Sequence, residues 1–288
     1  MWEFLVEPFA EFGFMRRALV GCIAISVGAT PVGVFLMLRR MSLTGDAMAH
    51  AILPGAAVGY LVAGLSLGAM TIGGLIAGMA VALLSGFVTR TTELREDASL
   101  AAFYLISLAV GVLIVSTRGG NVDLMHVLFG TVLALDDAAL VLLCSIASLT
   151  LLTLAMLFRP LVLECADPQF LRSVSGLSAL THFTFLALVV MNLVGGFHAL
   201  GTLMAVGIMI VPAAAARFWA TGIGGLIIAA VAIAMLGSVA GLLLSYHYGL
   251  PSGPAIILAA GLAYMVSLVI GPVGSMATRT RTHQAGEI

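Results

Sequence analysis

An aspartate and a histidine, Asp46 and His50, stand four residues apart at the head of the run MSLTGDAMAHAILPGAAVGY, residues 41–60, which is otherwise apolar. On an α-helix, four residues advance about 400° and about 6 Å, so both side chains fall on one face. One carboxylate and one imidazole suit a divalent transition metal, zinc in particular. Two donors leave a coordination shell incomplete, and a second copy of the pair from a symmetry mate would supply four donors and two negative charges. The same aspartate, placed after Gly45, also fits a helix cap or first turn, where the helix dipole favours a negative charge. Spacing alone leaves both readings open. Pro54 and Gly55 follow one turn beyond His50 and predict a helix break beside the pair, of the kind found at transporter substrate sites. A plain proline kink is the alternative. His198 is a further candidate ligand by position alone, at the expected outer start of a later span. His126, His182 and His247 lie near expected span ends, where a histidine needs no special role.

The elements that must position the pair are membrane spans. The 288 residues are 61% hydrophobic and 9% charged with a mean hydropathy of +1.19, a balance no soluble globular domain shows. A formal net charge of -1 with scattered charges points to no nucleic-acid surface. Crossing a bilayer takes about 20 apolar residues, and candidates lie near 18–38, 47–65, 68–89, 98–116, 138–158, 179–194, 199–216, 222–245 and 253–271. The fold class is therefore an all-α polytopic membrane protein of about eight or nine transmembrane helices. Two candidates are interrupted, 47–65 by Pro54 and Gly55, and 179–194 by Gly195 and Gly196, so eight full spans and a partial one are equally compatible. With the N-terminus outside and nine spans, Arg39, Arg40, Arg90, Arg95, Arg159, Arg172, Arg217, Arg279 and Arg281 fall inside, and Arg16, Arg17 and Arg118 outside. That asymmetry favours an outer N-terminus and a cytoplasmic C-terminus. The G-x-x-x-G pairs Gly74–Gly78 and Gly237–Gly241 read as ordinary close helix packing.

Residues 1–17, with Trp2, Phe4, Phe9, Phe12 and Phe14, suit a short interfacial helix, and Glu3, Glu7 and Glu11 argue against a cleaved signal. The polar stretch 164–177 predicts a short cytoplasmic helix, with Asp167 as N-cap, Pro168 at the first position and Gly176 as stop. All twelve basic residues are arginine, so no phosphate-binding loop of the G-x-x-x-x-G-K-[ST] type exists, and H-E-x-x-H is also absent. The chain itself is expected not to be an ATP-hydrolysing enzyme. Cys22, Cys144 and Cys165 are too scattered to form a motif.

Four stretches together resemble the membrane-permease family of ATP-binding-cassette importers for zinc, manganese and iron. They are RRMSLTGDAMAHAILPG (39–55), LFGTVLAL (128–135), ALGTLMAVGIMIVPAAAARFW (199–219) and LPSGPAIIL (250–258), in the family's order. The resemblance covers nearly the whole chain and implies a single permease domain over 1–288 with the fold of the cobalamin (type II) importers. It further implies a homodimer in the bacterial cytoplasmic membrane, two cytoplasmic ATPase subunits and an extracytoplasmic protein that delivers the metal. Asp46 and His50 match the residues held to line the family's metal pathway. The stretch from Asp167 to Gly176, with Leu171, Arg172 and Val174, matches the coupling helix that docks on the ATPase. Zinc is the first expectation for the transported ion, with manganese or iron as alternatives, and no cofactor is expected to stay bound. Ala49 and Ser252 stand where the family often has serine and threonine, and neither change removes a ligand. Two readings from other classes stay open at this point: a proton-coupled metal carrier, which would need no ATPase, and an intramembrane metalloenzyme, which would need a third ligand in the same chain.

Overall fold

A computed structural model of the chain describes residues 5–64, 66–118, 132–174 and 176–275. The described residues fold into α1 (Glu7–Glu11), α2 (Gly13–Leu38), α3 (Thr44–Ala63), α4 (Leu67–Thr91), α5 (Glu96–Arg118), a 3-10 turn at Val132–Ala134, α6 (Asp137–Ala166), α7 (Pro168–Val174), α8 (Leu177–Leu200), α9 (Thr202–Ala216), α10 (Ile223–Tyr248) and α11 (Ser252–Ile270). Helices dominate because long apolar runs in hydrocarbon must pair their backbone groups within the segment. Eight of them, α2 to α6, α8, α10 and α11, are long and apolar enough to span a membrane, and α9 is a shorter apolar helix.

Among the described residues there are thus eight span-length helices and a shorter one, but the short one does not begin where the glycines pointed. Helix α8 continues through Gly195 and Gly196 to Leu200, because both pack inside the bundle, Gly195 on Ile146 and Gly196 on Ala205 and Ile25. The chain breaks instead at Gly201, whose φ of 83° and ψ of 161° are open to glycine and costly for other residues. The stretch 1–17 is likewise not one helix. Phe12 is extended between α1 and α2, so Phe14, Arg16 and Arg17 belong to the first long helix, while Trp2 and Phe4 lie outside the described residues.

Helix α2 runs through the middle of the bundle, packed against α6, α9 and α10, with 78% of its apolar window buried. Helix α5 is at the edge, with 17% buried, and leaves an apolar face outward as a lipid-facing helix does. One proline inside a helix is met by a hydroxyl from a neighbour. Pro212 in α9 removes the donor that the Ile208 carbonyl would receive, and Thr30 of α2 donates to that carbonyl at 3.2 Å. Asn192 of α8 donates to Thr150 of α6 at 2.8 Å, a buried polar tie between two helices. The glycine pairs behave as packing surfaces: Gly74 and Gly78 lie on Ile52, Val190 and Val194, and Gly241 on the backbone of Ile256.

Candidate functional site

Helix α3 carries the Asp46–His50 pair, and its neighbours fix which face is presented. On one side Gly55 and Gly59 lie against the backbone of α4 at Gly73 and Ala69, so close that a Cβ on Gly55 would collide with the Gly73 carbonyl. On another, Gly45 lies on Met209 and Ile210 of α9. Asp46 and His50 project from the remaining face, with side chains 66% and 37% exposed, and their nearest atoms, Oδ1 and Nε2, are 3.9 Å apart. That is too long for a hydrogen bond. It falls within the span of two bonds of about 2.1 Å each to one ion.

The capping alternative for Asp46 is only half met. It sits in the first turn of α3, where the dipole favours its charge, but the N-cap position is Leu43 and no side chain caps the helix. His50 Nδ1 is buried without a hydrogen-bond partner among the described residues, and the ring stacks on Tyr104 of α5 at 6.3 Å. The imidazole is therefore oriented by ring packing and not by a carboxylate or carbonyl behind it.

The expected helix break at Pro54 and Gly55 is absent, and α3 runs unbroken to Ala63. The reason is local: Pro54 seats against Gly111 of α5, and Ser107 of α5 donates to the Ala51 carbonyl at 3.0 Å, tying the turn before the proline to α5. Pro54 has no N–H for the carbonyl four residues back, which is that of His50. The residue that offers an imidazole thus also carries a backbone oxygen without its intrahelical donor. His198 falls in the last turn of α8, not at the start of the next span, and its side chain lies outside the described residues, as does all of His126. Among the described residues no group of three metal-ligating side chains occurs, so the pair remains a pair within one chain.

The polar stretch after α6 forms the helix its residues predicted, with tighter bounds. Glu164 and Cys165 still belong to α6, and Asp167 caps α7, accepting from the backbone N–H of Gln169 at 3.0 Å and of Phe170 at 2.9 Å. Phe170 is exposed and Leu171 is buried, so Phe170 is the apolar residue that this short helix presents outward. The side chains of Arg172 and Val174 lie outside the described residues, and Gly176 forms the turn into α8.

A second polar cluster, missed in the sequence, closes the base of α7. Arg39 at the end of α2 donates to His182 Nδ1 of α8 at 2.7 Å, lies 3.7 Å from Glu164 of α6, and stacks 5.0 Å over the Phe185 ring. Because a guanidinium only donates, His182 carries no proton on Nδ1 here. Arg39 and Glu164 are buried to 8% and 3% side-chain exposure, and burial at that depth was invisible in a residue counted only as a loop charge. The helix then ends in a left-handed residue. Arg40 has φ 58°, its N–H bonds to Met37, and the N–H of Met41 reaches back to Leu36 at 2.9 Å, a C-terminal turn in which glycine is the usual residue. Arginine there costs about 1–2 kcal/mol of backbone strain.

These features describe a polytopic all-helical membrane protein, with a polar pair on one face of a span, Asp46 exposed and His50 half-covered by α5, and a capped short helix bracketed between two others. The chain belongs to the ABC 3 transport family, whose model matches residues 11–271. It is 30% identical over 272 residues to the manganese import system permease protein ScaB of Streptococcus gordonii, covering 94% of this chain and 96% of that protein. It is 27% identical over 269 residues to the chelated iron transport system membrane protein YfeD of Yersinia pestis, covering 93% of this chain and 89% of that one. Among solved structures it resembles PsaBC from Streptococcus pneumoniae in complex with Fab, with a TM-score of 0.82 and 27% identity over 94% of this chain and 97% of the other. A metal-chelate type ABC transporter in an inward-facing conformation shares the fold, with a TM-score of 0.68 at 14% identity over 88% of this chain and 84% of that one.

Proposed function

We propose that this chain is the membrane-spanning permease of an ATP-driven importer for a divalent transition metal, and that manganese is the ion. The observation that carries the reading is the Asp46–His50 pair, held on one face of a membrane helix in a chain of this family. Zinc, the first expectation from imidazole and carboxylate, gives way to manganese, because the similar permeases are named for manganese and iron. The chemistry agrees. Carboxylate and water oxygens suit manganese, and the pair offers one carboxylate for each imidazole.

Two copies of the chain would face each other across the uncovered side of α3, so that two carboxylates and two imidazoles surround one ion. Few and mobile ligands favour passage, since a closed rigid cage retains its metal. Hydrolysis of ATP belongs to separate cytoplasmic subunits that grip α7, and an extracytoplasmic protein delivers the ion from the other side. In a bacterial inner membrane, the arginine distribution supports an N-terminus outside and a C-terminus in the cytoplasm. The test is uptake of radiolabelled manganese into cells carrying or lacking this chain together with its ATPase and delivery protein. Manganese accumulation that tenfold excess zinc does not abolish is expected; zinc accumulation without manganese would overturn the choice of ion, and uptake without the ATPase would favour a proton-coupled carrier.

A further inference from the structure

We propose that Tyr104 of α5 is the positioning residue of the metal pair, its ring holding the His50 imidazole toward Asp46 where a metal-bound histidine ordinarily has a hydrogen-bond acceptor. This role rests on the reading of Asp46 and His50 as the metal pathway. Tyr104, Ser107 and Gly111 follow one another at spacings of three and four, so they share one face of α5. That face meets α3 at three points. The Tyr104 ring stacks on the His50 ring, with centroids 6.3 Å apart and planes inclined by 29°. Ser107 donates to the Ala51 carbonyl at 3.0 Å, and a Cβ on Gly111 would stand 3.1 Å from the Pro54 ring. The hydroxyl and the glycine fix the register of α5 on α3, and that register carries the tyrosine to the histidine. Leu105, Ile106, Val112 and Leu113 on the rest of α5 are exposed, as lipid-facing side chains are.

The chemistry of the histidine gives this contact a purpose. A metal-bound histidine almost always donates its second ring N–H to a carboxylate, a carbonyl or water, which fixes the ring and makes it a stronger ligand. His50 turns Nε2 toward Asp46, 3.9 Å from Oδ1, while Nδ1 is buried without a hydrogen-bond partner among the described residues. Its side chain is 37% exposed against 66% for Asp46, so it has lost water on the side that α5 covers. Ring packing therefore supplies the orientation that a hydrogen bond would otherwise give, and it does so without raising the basicity of Nε2. Orientation in advance lowers the ordering cost of capturing an ion. A ligand left weakly basic lets the ion go, which a site of passage requires.

The experiment measures equilibrium binding of radiolabelled manganese to the full-length permease, held with its ATPase in lipid nanodiscs without ATP, alongside the melting temperature of each metal-free form. Tyr104→Phe keeps the ring and Tyr104→Leu removes it. Tyr104→Leu should weaken binding about tenfold, the low end of the loss when a group that orients a metal-bound histidine is removed. Tyr104→Phe should bind within about twofold of the natural chain, and that rescue by a ring without the hydroxyl is what a merely structural tyrosine would not show. Melting temperatures should stay together; should Tyr104→Leu prove unstable, Tyr104→Met takes its place. Natural affinity in the ringless variant, or equal loss in Tyr104→Phe, overturns the positioning role. Asp46→Asn separates the two readings. Lost binding in Asp46→Asn beside natural binding in Tyr104→Leu removes the tyrosine alone, whereas natural binding in Asp46→Asn, or no saturable binding by the natural chain, removes the metal pair and the tyrosine's role with it.

Discussion

At the scale of single residues, the metal pair is defined as much by what does not surround it as by its own atoms. Asp46 is 66% exposed on a helix whose other faces are sealed by glycine contacts, so its charge needs water or a second chain in place of lipid. Asp46→Asn preserves shape and removes the charge, and His50→Ala removes a nitrogen donor and the ring that stacks on Tyr104. Each is expected to reduce metal uptake to background while protein level and melting temperature stay close to those of the natural chain. Uptake by purified, reconstituted complex checks this, and wild-type transport by the His50→Ala form would remove the histidine from the pathway. Arg39, Glu164 and His182 teach the converse lesson. A loop arginine and two residues near helix ends carry no sequence signal of their own, and their meeting requires that three distant chain segments converge.

At the scale of elements, α7 separates two effects that neighbouring residues would otherwise confuse. Phe170 points outward and Leu171 inward, one helical step apart. Phe170→Arg should therefore weaken co-purification of the ATPase at least tenfold and leave the melting temperature unchanged. Leu171→Arg should instead lower stability by about 2–4 kcal/mol, since it buries a charge where an apolar chain packed. Equal loss of ATPase binding by the two, with no difference in stability, would remove α7 from that interface. The cap on this helix was readable in advance because Asp167–Pro168 is a local signal, satisfied within four residues. Its facing was not, because a seven-residue helix is too short for a periodic pattern to distinguish inside from outside.

At the scale of the whole molecule, the proposed import function requires two copies and a defined orientation. A reporter fused after Ile288 is expected to report cytoplasm and one inserted near Gly120 the outside, following the nine-to-three division of arginines. The reverse pattern would invert the assignment of α7 to the ATPase side. In dimers that combine one Asp46→Asn chain with one natural chain, a shared site predicts strong loss of transport, well below half of normal. Half or more of normal activity would mean that each chain conducts on its own.

What the amino-acid sequence determined by itself is whatever rests on local chemistry or on composition. Apolar runs of about 20 residues can only be helices in a bilayer, an i, i+4 pair can only share a helix face, and Asp-Pro after a span reads as a helix start. Tertiary structure decided the rest, because the same residue takes opposite roles with different neighbours. Pro54 and Gly55 read as a break, yet α3 stays whole, since Ser107 supplies a donor and Gly73 and Gly111 leave room for close packing. Gly195 and Gly196 read as a turn, yet both pack inside the bundle and the turn falls at Gly201, whose positive φ ends the helix. Arg39 reads as a cytoplasmic marker, yet it lies buried between Glu164 and Phe185. Glycine and proline permit a break without requiring one, and a charge tolerates burial only when its partners arrive from elsewhere in the chain.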